Sequence, residues 1–166
     1  MNKTGVFTEI GEAISELVNL VSSMDENSVN AVPYKDSWTA GQLSRHITKS
    51  INGMAKAMLM ESKPPGRDPG EKIPGLKKAF LDFTSKMKSP DFIIPEDGPY
   101  EKQAVIEELN SSFEHLKTNT NAANLEDLAE GLPMGPVTKW EMLHFVLYHT
   151  QRHLHQMKKI NDALKS

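Results

Sequence analysis

The chain contains no cysteine. That absence excludes disulfides, cysteine-ligated zinc, iron–sulfur clusters and a cysteine nucleophile together, so any soft chemistry must come from a ligand. An excess of basic residues is missing too: 19 Lys and Arg stand against 22 Asp and Glu, for a formal net charge of -3. With no basic stripe to neutralise a phosphate backbone, a nucleic-acid partner is not expected. No apolar run approaches the roughly 18 residues that a membrane span needs, so no membrane association is expected. The opening stretch MNKTGVFTEIGEAISELV carries acidic residues in an amphipathic pattern, where a signal peptide would carry a basic end and an apolar block. The expected compartment is the cytoplasm. Internal repeats and low-complexity tracts are also absent.

What is present is helical. The 166 residues suit one domain, 1–166, around one core. Val6, Ile10, Ile14, Leu17, Val21 and Met24 recur every three or four positions and predict a helix from about residue 5 to 26. A polar connection containing Pro33 follows, ending where Thr39 and Gln42 have the form of a capping box. A second helix, WTAGQLSRHITKSINGMAKAMLME, is expected to close before SKPPGRDPG. Between that stretch and SPDFIIPEDGP, the segment LKKAFLDFTSKM has the pattern of a short helix; residues 62–99 otherwise form a long irregular connection. Ile106, Leu109, Phe113 and Leu116 mark a third long helix, and TKWEMLHFVLYHTQRHLHQMKKINDAL is the last. The expected fold class is all-α, an antiparallel four-helix bundle with a longer irregular connection between the second and third helices.

The last helix carries four of the six histidines. Relative to His149, a helical wheel places His153 at about +40°, Gln156 at about -20°, Met142 at about +20° and Phe145 at about -40°. His149 and His153 therefore sit within an apolar stripe. His144 and His155 fall on the opposite, wet side, near about -140° and -120°. Two histidines four apart on one face can share a metal ion, and ligation would remove the cost of burying them unpaired. The spacing also allows each ring to hydrogen-bond across the core, or both to be solvated. In the second helix, His46 has Thr39, Leu43, Ser50, Gly53 and Ala57 around it, four of them small, which leaves room for an ion and a ligand; the alternative is a core-boundary ring half in water. His115 turns away from the core stripe and reads as surface.

The tryptophan shortly before a histidine in WTAGQLSRH, combined with HTQRHLHQ near the C-terminus, resembles the DinB/YfiT-like superfamily. The run GLPMGPVTKWEMLHFVLYHTQRHLHQMKKI is similar to the end of one of its uncharacterised branches. The two matching segments span roughly residues 38 to 60 and 131 to 161. The common ending H-R-G-Q reads H-L-H-Q here, with His155 in place of the glycine. The resemblance implies a four-helix bundle in which His46, His149 and His153 bind a divalent metal, zinc or nickel. It implies a small-molecule substrate, a low-molecular-weight thiol as co-substrate, and a homodimer.

Three imidazoles would leave coordination positions open, the arrangement of a catalytic metal, and such a site suits either thiol-dependent S-transfer or hydrolysis. Gln156 and Arg152 are the candidate substrate-binding or supporting residues, Arg152 as a partner for an anionic group or as a solvated residue. Trp38 and Trp140 read as packing residues. Glu12, Glu16, Glu108 and Glu141 read as surface charges, so no general base is assigned. The competing expectation is a non-catalytic metal-binding or dimerising bundle of the stress-response type.

Overall fold

The computed structural model describes residues 1–166. Its elements follow in chain order as α1 (Lys3–Ser23), α2 (Glu26–Asn30), α3 (Ala40–Ala57), β1 (Ser62–Lys63), α4 (Ile73–Leu81), α5 (Lys102–Asn121), β2 (Leu128–Ala129), β3 (Val137–Thr138) and α6 (Lys139–Lys165). A single 3-10 turn, Asp91–Ile93, interrupts the connection before α5. The protein is thus mostly helical, with one small antiparallel sheet in the order β1-β2-β3. No helix is long and apolar enough to cross a membrane.

The helix boundaries follow local chemistry. Asn2 caps α1 by accepting from the Gly5 amide. The helix ends before residue 26, because Met24 is extended and the Asp25 side chain accepts from the Ser28 amide, starting the separate short helix α2. Thr39 and Gln42 form the expected capping box of α3, and Thr138 and Glu141 form an equivalent one at α6. α4 begins earlier than its apolar pattern suggested, with Pro74 in its first turn, and stops at Leu81. There the Asp82 side chain accepts from both the amide and the hydroxyl of Thr84. The three strands were not expected from the sequence. Each has two residues, too few for any alternation to register.

α3 packs on α5 and α6, α1 packs on the same two helices, and α4 lies against α6. One apolar cluster of 28 buried residues runs between them, including Ile10, Leu17, Leu43, Ile47, Leu109, Leu116, Met142 and Leu147. On α5, Leu109 and Leu116 are fully buried, whereas Ile106 and Phe113 only flank the core. Val105 and Ser112 take the adjacent inward positions, a rotation of the buried face by one residue.

Because α1, α3 and α4 all contact α6, that helix has no broad wet side. This corrects two sequence expectations. His144 is buried, 3% exposed, with its Nδ1 3.0 Å from the Trp140 carbonyl and its ring edge-on to the Trp140 indole. Glu141 is not a surface charge but is fully buried. Its carboxylate accepts two hydrogen bonds from Arg67, at 2.7 and 2.8 Å, and others from the amides of Lys72 and Thr138. Burial alone would raise its pKa; the Arg67 guanidinium and the two amides outweigh that and hold it below the ordinary carboxylate value. The pairing fastens the proline- and glycine-rich segment before α4 to the start of α6.

Candidate metal centre

His46 stands in the second turn of α3, and His149 and His153 stand one turn apart in the middle of α6. Contact between α3 and α6 brings the three rings together. The Nε2 atom of His46 lies 3.2 Å from that of His149 and 3.0 Å from that of His153, and the last two are 3.1 Å apart. All three residues are buried, and together they form a group that could hold a metal ion.

The remaining ring nitrogens fix what those Nε2 atoms are. His46 Nδ1 is 2.9 Å from the Ile93 carbonyl, and His153 Nδ1 is 2.9 Å from Gln156 Oε1. Both partners are acceptors, so both Nδ1 atoms carry the proton, and both Nε2 atoms present lone pairs. Two lone pairs facing each other at 3.0 Å repel unless a cation lies between them. Protonation is a poor remedy, because burial depresses the basicity of all three rings. Burial, and then the neighbouring His46, takes His153 down to about 3. Burial, reinforced by His153 and His46, holds His149 well below its ordinary value, and burial also lowers His46.

The donor set fits a divalent ion. Three nitrogens bonded to one ion at about 2.0–2.1 Å, on one face of an octahedral or tetrahedral shell, are separated by about 2.8–3.4 Å. The observed separations of 3.0 to 3.2 Å fall in that interval. Hydrogen bonds from Nδ1 to oxygen acceptors are the usual means of fixing tautomer and ring orientation in such sites.

Aromatic rings enclose the histidines. Trp38 packs on His46 at 4.9 Å between centroids, Phe145 stacks on His149 at 5.1 Å, and the edge of Phe80 meets His149 at 5.9 Å. In front of them opens a cavity of about 1220 Å³. Of the four small residues expected to leave space around His46, Ser50 and Gly53 line this cavity. A Cβ on Gly53 would meet nothing within 4 Å. Thr39 and Ala57 are buried instead, as is Leu43.

The other candidates fall as follows. Gln156 is half-buried, lines the cavity and orients His153. Arg152 is not a free guanidinium: it donates to the carbonyls of Phe80, Asp82 and Ser85, and so fastens the end of α4 to α6. His155 is half-buried and stacks on Phe83 at 4.2 Å, which corrects its expected placement on a wet face. His115 is exposed, as expected. Two contributions were not assigned from the sequence. The Ile93 carbonyl carries no side-chain signal at all. The helical wheel places Phe145 on the stripe of His149, one turn before it, and that position already signals the stacking on the His149 ring.

The family model of the DinB superfamily matches residues 9–157. The chain belongs to the DinB superfamily. Over 159 residues it is 25% identical to the uncharacterized protein YuaE of Bacillus subtilis (strain 168), covering 93% of this chain and 96% of that protein. No solved structure matches it. The matched region contains His46, His149, His153 and Gln156, so the site described above lies within the part of the chain that matches the family.

Proposed function

We propose that this DinB-superfamily protein is a metal-dependent enzyme acting on a small molecule, of the thiol-dependent S-transferase or hydrolase type, on an antiparallel four-helix bundle. His46, His149 and His153 would hold one divalent ion, zinc or nickel. The observation that carries the reading is the pair of Nε2 lone pairs of His46 and His153 at 3.0 Å, each fixed by a hydrogen bond at its own Nδ1.

An ion with three imidazole ligands and open positions would bring the pKa of a coordinated thiol or water toward neutrality. The chain's own groups prepare that chemistry. The Ile93 carbonyl and Gln156 hold two rings in the ligating tautomer. Phe80 and Phe145 keep water from the flank of His149, and the cavity admits a small molecule on the open side. Among the residues lining the cavity, Asp36 is the one carboxylate, and it lies in the exposed loop before α3. With Asp36 as the one lining carboxylate and His155 stacked on Phe83, the site suits a thiol that needs only to lose its proton better than a water that needs a positioned base as well.

Metal content followed by a thiol and electrophile screen tests the proposal. The expected result is one equivalent of zinc or nickel per chain and turnover of an electrophile that requires both metal and added thiol. A purified protein that takes up no divalent ion at neutral pH would sink it.

A further inference from the structure

The cavity in front of the histidines has a charge unlike that of the chain. Carboxylates outnumber basic residues overall, yet eight of the 19 Lys and Arg side chains line this cavity against one of the 22 Asp and Glu. Three of the eight are occupied. Arg45 and Lys49 share Glu96, and Arg152 is committed to backbone carbonyls. The other five are Lys35, Lys56, Lys86, Lys88 and Lys159, and none of them forms an ion pair.

These five lysines come from separate stretches: the loop before α3, the end of α3, the segment after α4, and α6. Gathering unpaired like charges around one concavity is unfavourable in the free protein, and a concave wall focuses the resulting field on whatever enters. The same cavity is also aromatic. Tyr34, Trp38, Phe80, Phe83, Phe92 and Phe145 line it, and Tyr34, Phe83 and Phe92 are among the most exposed large apolar side chains of the molecule. Exposed rings and unpaired cations around one cavity match a ligand that has both an apolar body and negative charge.

We propose that this cavity selects a small organic anion, with an aromatic or aliphatic body against the rings and a carboxylate or phosphate group among the lysines. That the ligand's reactive end meets the three histidines rests on the metal-site reading above; the selection for charge does not.

Calorimetric titration separates the two. The probes are 2-naphthoate, 2-naphthyl phosphate and the neutral 2-naphthamide, each titrated into metal-free and into zinc-loaded protein. At least one anion is expected to bind about tenfold or more tightly than the amide in both forms, as one charge-assisted contact suffices to give. The preference should shrink as salt is raised, and whichever anion binds better identifies the group that is recognised. In Lys56→Gln/Lys159→Gln, two exposed positions, the anion should weaken about fivefold or more while amide binding and zinc stoichiometry stay unchanged. Equal binding of amide and anions, no binding of any probe at millimolar concentration, or an unchanged anion affinity in the double variant would each overturn the proposal. A protein that takes no zinc yet keeps the anion preference overturns the metal reading alone and supports this one.

Discussion

Nε2 of His46 and Nε2 of His153 face each other at 3.0 Å, and neither carries a proton, because each ring's proton is already committed at Nδ1. The two residues are 107 positions apart in the chain. Their arrangement is costly as two neutral rings in a dry interior and favourable around an ion.

Replacing His149 with alanine is therefore expected to abolish stoichiometric metal, and His46→Ala and His153→Ala to do the same. His144→Ala should retain the metal while losing about 1–3 kcal/mol of stability, since it removes a buried hydrogen-bonded ring. Plasma emission analysis of the four variants, with thermal melts, reads both effects. Equal metal in His149→Ala and His144→Ala would refute the assignment of faces on α6.

Gln156 should matter to the metal without touching it. Gln156→Leu removes the acceptor that holds His153 in its ligating tautomer, and a loss of about 10–100-fold in metal affinity is expected. Gln156→Glu, which still accepts from Nδ1, should restore most of it. Competition with a chromogenic chelator measures the ratio.

The pH dependence of the metal-free protein follows from the depressed basicity of these rings. His153 has an ordinary value of 6.5 and a folded value of about 3. Between those limits the unfolded chain binds the proton and the folded chain does not, so stability rises with pH. The contribution is complete above about pH 6.5 and is lost as the pH falls, by up to about 1.4 kcal/mol per pH unit for each such ring. Urea midpoints between pH 7 and 4 should fall steeply in the metal-free protein and less steeply in His153→Gln.

Arg67→Met should be more damaging than its place in an irregular loop suggests. It leaves the fully buried Glu141 without its cation, for an expected loss of about 3–5 kcal/mol. Combining it with Glu141→Gln should recover part of that loss. Calorimetric unfolding of the two variants measures it, and a change under about 0.5 kcal/mol in Arg67→Met would show that the pair does not carry the loop.

Arg152→Ala releases three carbonyls at the end of α4 and should raise amide exchange and protease cleavage over residues 82–89 while leaving the metal in place. Arg152→Lys should not rescue it, because one ammonium cannot reproduce the planar fork.

Periodicity by itself determined the four long helices, the Thr39–Gln42 cap, and the shared face of His149 and His153, since each depends only on residues within a few turns of one another. It also marked the neighbourhood of His46 as open, and Gly53 and Ser50 do line the cavity. What required the tertiary structure was everything decided by a second element. Whether a residue on α6 is wet depends on what packs there, so a wheel drawn for α6 alone put His144 in water and Glu141 read as an ordinary surface charge, whereas the packed chain buries both, Glu141 under the segment before α4. The tautomer of His46 was equally beyond reach, because it is set by the backbone carbonyl of Ile93 in a nonperiodic segment. The charge of the cavity belongs to no single stretch: lysines spread across a chain of net charge -3 come to line one cavity only after folding. A sequence records which groups share a helix face; only the packed chain decides which faces share a site.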